Sequence, residues 1–352
     1  MSSTNTNASE LIQDRITQAI QKKENLRIAG GNSKSFYGEH VTESTVSTAE
    51  HSGIINYEPT ELVITVKSGT TLNDIEALLN QNQQMLGFEP PHFSDSATIG
   101  GTIACNFSGP RRAAAGSARD FVLGIKMING NAEQLSFGGE VMKNVAGYDS
   151  SRLLCGSMGS LGVLLECSLK TLPKPEAELS LTFDTDEPSA IQRMRDWARK
   201  PIPITASCYH NGQLSIRLSS TEQALKKIRT TLGGDMLEND EQYWKSVREQ
   251  TISFFDTEFP LWRLSLSPNA APYSSESLIE WNGAQRWITG NLSSSDIQKY
   301  AKANGGHATL FKQGQEKIDF FQTIDPALAK IHENLKQAFD PHNIFISPLI
   351  QP

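Results

Sequence analysis

Three short stretches use glycine in a way that suits close contact between backbone and a ligand. In Leu26-Arg-Ile-Ala-Gly-Gly-Asn-Ser-Lys34 a short apolar run enters a paired-glycine loop. Successive backbone N–H groups in such a loop can converge into an anion-binding nest, to which Ser33 adds a hydroxyl and Lys34 a positive charge. Ala29, Gly30, Gly31, Asn32, Ser33 and Lys34 are therefore candidates for holding a pyrophosphate. The loop has neither P-loop nor Rossmann spacing, and a plain tight turn is the alternative reading. Ala97-Thr-Ile-Gly-Gly-Thr-Ile-Ala104 and Gly156-Ser-Met-Gly-Ser-Leu-Gly162 repeat the theme, with close helix–strand packing as the alternative for each. Twelve of the 26 glycines lie between Gly100 and Gly162, which places the functional pointer in the N-terminal half.

The other reactive side chains form no such set. Cys105, Cys155, Cys167 and Cys208 contain no Cys-x-x-Cys pair, so this chain alone is not expected to build a zinc or iron–sulfur site. Buried free thiols are the default. The seven histidines, His40, His51, His92, His210, His307, His332 and His342, show no metal-ligand spacing, and no metal is expected. His307, in Gly-Gly-His-Ala, and His210, before a turn, are the candidate acid–base groups, each with a structural role as the alternative. Arg111, Arg112 and Arg119 could pair with carboxylates or with phosphates. Lys143 and Tyr148 could reach a cofactor edge, and their loop can equally be packing or partner surface.

The chain that must position these residues has 352, of which 38% are hydrophobic and 20% charged, ample for two domains. Thirty-two basic against 39 acidic side chains give −7, which argues against nucleic-acid binding. No apolar run reaches the roughly 18 residues of a membrane span, and the start has no leader pattern, so the expected compartment is the cytoplasm.

Residues 62–67 are expected as a strand, Thr71-Leu-Asn-Asp74 as the opening of a helix whose apolar spacing is Leu72, Ile75, Leu78 and Leu79, and 121–128 with 134–137 as a hairpin. Residues 161–172 read as a buried strand that Leu172-Pro-Lys-Pro175 stops. Beyond it, strands at 179–183, 202–209 and 213–218 and helices at 189–199 and 221–232 give a βαββα order, a ferredoxin-like unit. Strands at 263–266, 285–288 and 308–311 around a helix at 294–303 suggest a second open α/β unit. A last helix runs over 325–339.

Taken together and in order, the glycine stretches resemble the FAD-binding domain of the vanillyl-alcohol-oxidase-type flavoproteins. They are joined by Gly116-Ser-Ala-Arg-Asp120 and Lys143-Asn-Val-Ala-Gly-Tyr-Asp149. More narrowly, several segments resemble the FAD-binding subunit of bacterial glycolate oxidase. These are Pro59-Thr-Glu-Leu-Val-Ile-Thr65, Gly109-Pro-Arg-Arg112, Asp120-Phe-Val-Leu-Gly124 and Phe137-Gly-Gly-Glu-Val-Met-Lys-Asn-Val-Ala-Gly-Tyr-Asp149. The likeness continues through Trp262-Arg-Leu-Ser-Leu266 and Gly305-Gly-His-Ala-Thr309, over nearly the whole chain.

The resemblance implies an α+β fold: a PCMH-type FAD-binding domain of two subdomains over 1–175, an α/β cap with ferredoxin-like units over 176–340, and a tail over 341–352. It implies that residues 29–34 hold the pyrophosphate. Thr98, Gly100, Gly101 and Thr102 would line the flavin, and Gly159, Gly162 and Val163 would support the adenine or ribose side. Arg119 and Asp120 join the cofactor-binding set through their motif. Relatives often carry a histidine in the first loop that bonds covalently to the flavin; Asn32 stands there, so non-covalent FAD is expected. Related C-termini read Asn-Pro-Gly where this chain has Asn343-Ile-Phe-Ile-Ser-Pro-Leu349, which leaves the tail without an expected role at the flavin.

The implied activity is FAD-dependent oxidation of glycolate to glyoxylate as one subunit of an oxidoreductase complex. Its implied partners are a second flavin subunit and an iron–sulfur subunit, its substrate a small 2-hydroxy acid, and its membrane association only through partners. The alternatives are a free-standing flavin-dependent 2-hydroxy acid dehydrogenase and a non-catalytic flavin-binding assembly subunit.

Overall fold

The computed structural model describes residues 5–38, 44–139, 150–273, 275–314, 321 and 324–346. Its contacts divide the chain into two units. The first comprises Met1–Phe107, Ser117–Pro173 and Thr323–Pro352, and the second Ser108–Gly116 and Lys174–Gln322.

The first unit carries a five-stranded antiparallel sheet in the order Ile54–Glu58, Val63–Lys67, Val163–Lys170, Val122–Ile128, Gln134–Gly138. Val63–Lys67 is β-branched and almost wholly buried, which suits a strand flanked on both edges. The hairpin closes at Asn129, whose buried Oδ1 accepts from the N–H groups of Asn131 and Glu133, both at 2.9 Å. Helix Leu72–Gln81 begins where Thr71 Oγ1 accepts from Asp74 N–H at 3.1 Å, and Leu72, Ile75 and Leu79 form its buried face. A separate two-stranded parallel sheet pairs Arg27–Ala29 with Thr45–Ser47.

The expected strand over 161–172 divides in two. Val163–Lys170 stays in the large sheet, while Leu172–Pro173 pairs with Gln84–Met85.

The second unit is built on one eight-stranded sheet. The βαββα run is present as Ala177–Asp184, Glu187–Ala198, Ile204–His210, Gln213–Ser220 and Glu222–Leu232, followed by the short strand Asp235–Met236. The second open unit expected from the sequence is not separate. Ser277–Glu280, a strand not read from the sequence, pairs Glu280 with Cys208 and Ile279 with Tyr209, and so joins Gln285–Thr289, Leu261–Ser265 and His307–Lys312 to the same sheet.

The unit boundaries also differ from the expected 1–175, 176–340 and 341–352. Helix Pro326–Phe339 belongs to the first unit, because buried Lys336 at its end bonds to the carbonyls of Ser160 and Phe345 there. Residues Ser108–Gly116 belong to the second. Arg111 lies 2.7 Å from Glu178, Trp281 Nε1 donates to the Gly109 carbonyl at 3.1 Å, and the Arg112 guanidinium stacks 4.3 Å from the Trp281 ring. Among the described residues no helix is long and apolar enough to cross a membrane.

Candidate cofactor site

Strand Arg27–Ala29 delivers the chain to the paired glycines, and the residue that takes the left-handed conformation beyond them is Asn32, at φ 56. Asparagine tolerates that region better than most side chains. Gly31 is glycine for another reason. A Cβ there would lie 1.5 Å from the Ser96 carbonyl oxygen, and Ser96 Oγ donates back to the Gly31 carbonyl at 2.6 Å. A Cβ on Gly30 would lie 2.4 Å from Thr98 Oγ1. The first glycine loop is thus fitted against residues 96–98.

Those residues lead into helix Ile99–Cys105. Thr98 caps it, its Oγ1 accepting from Gly101 N–H at 3.3 Å, and Thr102 Oγ1 donates to the Thr98 carbonyl at 2.9 Å. The two glycines of this stretch differ. Gly100 presses on Ser68, where a Cβ would come within 2.7 Å, and its N–H donates to the Ser68 carbonyl at 2.8 Å. A Cβ on Gly101 would meet protein only at Thr98 Oγ1, 3.4 Å away.

Between these elements lies a cleft enclosing roughly 930 Å³ of empty space, part of it continuous with solvent. Ala29, Gly30, Gly31, Asn32, Ser33 and Lys34 line it together with Thr98, Gly100, Gly101, Gly159 and Gly162. Three stretches far apart in sequence therefore meet at one place. Among the described residues the lining includes the cations Arg27 and Lys34 and no aspartate or glutamate, in a chain whose net charge is −7. Lys34 Nζ donates to Ser33 Oγ at 3.2 Å, which keeps both at the loop.

Ser68 Oγ is buried at this cleft without a hydrogen-bond partner. A buried hydroxyl left unpaired is costly, so this one is suited to a polar ligand. A paired-glycine loop, two cations, the Ser68 hydroxyl and the space beside Gly101 together fit the diphosphate of a dinucleotide.

Several residues expected from sequence stand elsewhere. Thr102 and Val163 are fully buried and are not among the lining residues. Asp120 is engaged in a capping box, accepting from the Ser117 N–H and hydroxyl, both at 2.8 Å. Arg119 donates to the Cys155 carbonyl at 3.3 Å. His210 and His307 belong to the second unit, on strands Ile204–His210 and His307–Lys312. Burial lowers the pKa of each imidazole, and the nearby Arg263 charge adds to the effect at His307. Both are therefore neutral around pH 7, His210 with Phe254 edge-on against its ring. Lys143, Tyr148 and His40 lie outside the described residues.

Sequence reasoning missed Thr48, Ser68, Cys105, Met158 and Ile346 in the lining. Cys105 and Met158 belong to the glycine stretches or adjoin them and could have been read from those. Thr48, Ser68 and Ile346 are single residues that only the tertiary fold brings in.

Residues 7–138 match the family model described as FAD binding domain. Solved structures of alkyldihydroxyacetonephosphate synthase share the fold, one with a TM-score of 0.66 at 16% identity, over 95% of this chain and 74% of that one. Glycolate oxidase subunit GlcD of Bacillus subtilis is 37% identical over 159 residues, 43% of this chain and 33% of its own length. Glycolate oxidase subunit GlcE of Escherichia coli is 45% identical over 340 residues, 96% of this chain and 95% of its own. With a glycine-lined cleft, an FAD binding domain matched over residues 7–138, and the likeness to GlcE running through both units, the chain belongs to the family of glycolate oxidase subunit GlcE.

Proposed function

We propose that this chain is the FAD-binding subunit of a heteromeric glycolate oxidase and takes part in the flavin-dependent oxidation of glycolate to glyoxylate. The observation that carries the reading is the extent of the likeness to GlcE. It spans 96% of the chain, whereas the likeness to GlcD covers 43%. The bound flavin supplies reversible two-electron acceptance. The chain's own part is to hold it: residues 29–34 with Arg27 offer N–H groups and positive charge to the diphosphate, Ser68 a hydroxyl, and Gly101 the space for close approach. Thr98 contributes by shaping the helix end beside the cleft.

Among the described residues no group of three or more His, Cys, Asp or Glu is placed to hold a metal. Onward electron transfer is accordingly assigned to partners, a second flavin subunit and an iron–sulfur subunit, and peripheral association with a membrane to those partners as well. The test mixes purified protein anaerobically with glycolate in a stopped-flow spectrophotometer. Bleaching of the flavin band only when partner subunits are present is expected; full bleaching of the lone chain would identify a free-standing dehydrogenase instead.

The flavin is held without a covalent bond, because Asn32 is a poor nucleophile. Acid precipitation of the holoprotein should leave the yellow colour in the supernatant, where chromatography identifies it as FAD. Colour retained in the washed pellet would overturn this reading.

A further inference from the structure

At the end of helix Pro326–Phe339, Lys336 is 8% exposed and its ammonium makes three bonds, one for each proton. It donates to Asp340 Oδ2 at 2.6 Å, to the Phe345 carbonyl at 2.7 Å and to the Ser160 carbonyl at 3.0 Å. Asp340 is itself buried, and its carboxylate accepts from the N–H groups of Ile344 and Phe345 at 3.1 and 2.9 Å. One ion pair therefore fixes two segments that are far apart in sequence.

Both segments reach the cleft. Ser160 lies in the 156–162 stretch, whose Met158, Gly159 and Gly162 line it. Phe345 bridges in parallel to Leu26, with Leu26 N–H donating to the Ile344 carbonyl at 2.7 Å and Ile346 N–H to the Leu26 carbonyl at 3.0 Å. Leu26 opens directly into strand Arg27–Ala29 and the paired-glycine loop, and Ile346 itself lines the cleft. The first glycine loop thus has the tail as a neighbour of its strand, and the third has its Ser160 carbonyl held by the same ammonium.

We propose that Lys336 is a positioning residue for the cofactor cleft: through Asp340, Ser160 and Phe345 it sets the 156–162 stretch and the tail against strand Arg27–Ala29, and makes Ile346 a wall of the site. The proposal rests on reading the cleft as the FAD site. It gives the tail a place there although the tail lacks the Asn-Pro-Gly that the family resemblance leads one to expect. Lys336 touches no cofactor; it acts through the backbone it holds.

The experiment titrates flavin-stripped full-length chain with FAD, following flavin fluorescence and the visible circular dichroism of the bound flavin, with a thermal melt of each apoprotein. Lys336→Met removes all three bonds at similar side-chain length, and Ile346→Ala trims only the wall. The expected result is at least a tenfold rise in Kd for Lys336→Met with an altered visible dichroism. For Ile346→Ala a severalfold rise is expected with an unchanged melting temperature. Should Lys336→Met fail to fold, the Ile346→Ala titration decides. Wild-type Kd and dichroism in Ile346→Ala, or in folded Lys336→Met, would overturn the proposal and leave the cofactor reading standing. A wild-type chain that binds no FAD would remove the cofactor reading and this proposal with it.

Discussion

Gly31 and Gly101 border the same cleft, and the structure separates what each is for. A side chain at Gly31 meets backbone, so Gly31→Val displaces the loop and disturbs folding and binding together. A methyl at Gly101 meets only open cleft and Thr98 Oγ1. Glycine inside a helix costs about 1 kcal/mol relative to alanine. Gly101→Ala is therefore expected to leave the apoprotein melting at or slightly above the wild-type temperature while FAD affinity falls at least tenfold. A fluorescence titration giving wild-type affinity would show that no ligand occupies that space. Thiol chemistry offers an independent check. Burial pushes Cys155 and Cys167 up to about 12 and raises Cys208 as well, whereas Cys105 is half-buried in the cleft lining. A thiol reagent should modify Cys105 first, and saturating FAD should slow that reaction; equal labelling rates with and without FAD would argue against occupancy beside helix Ile99–Cys105. The glycine loops were legible because paired glycines next to Ser and Lys carry a local signal. Ser68 and Ile346 carry none, since a lone serine after a strand and a lone isoleucine near the chain end gain meaning only from what folds against them.

Regular elements with caps and periodic faces were legible for the same reason of locality. Thr71 and Asp74 announce helix Leu72–Gln81, and Asp325-Pro326 announces the last helix. The continuity of the eight-stranded sheet was not, because it depends on Ser277–Glu280, whose four residues are all buried and too few to show a period. That strand places Glu280 fully out of water, where Trp287 Nε1 and Gln285 Nε2 donate to its Oε2 at 2.7 and 3.0 Å. Burial pushes its carboxyl up to about 7 from an ordinary 4.5, against the effect of those two donors. A raised acid pKa means that the folded state binds the proton more tightly. The stabilising contribution is thus complete below about pH 4.5 and lost as pH rises through about 7. The shift corresponds to a contribution on the order of 3 kcal/mol. Glu280→Gln keeps an oxygen acceptor and cannot ionise. Thermal melts from pH 5 to 8 should therefore show the wild type losing several degrees relative to this variant, and parallel curves would place the Glu280 carboxyl outside the titration range.

Over the whole molecule the chain passes between its two units four times, at 107/108, 116/117, 173/174 and 322/323. A reading that divides a sequence into consecutive segments, at a proline cluster and before a tail, cannot see such crossings, since Arg111 finds Glu178 and Lys336 finds Ser160 only through space. A recombinant piece ending at the proline cluster would have Leu26 and Ser160 but not the Lys336, Ile344 and Phe345 that bond to them. Coexpressing residues 1–173 with 174–352 is therefore expected to restore FAD binding where the first piece alone has none, and full binding by residues 1–173 would contradict the contacts of the tail. The bridge between Leu26 and Phe345 also carries a consequence for synthesis. The two residues are separated by nearly the whole length of the 352-residue chain. At ordinary ribosomal speeds of about 5–20 residues per second, Leu26 waits roughly 15 s to a minute for its neighbour to be made. During that interval the strand leading to the first glycine loop has one open edge, and the apolar cluster of Ile12, Ile16, Leu26 and Val46 lacks Ile344 and Phe345. The nascent chain is most exposed to chaperones and to misassembly in that window, and the strand that leads to the first glycine loop gains its second neighbour only once Ile344 and Phe345 have been made.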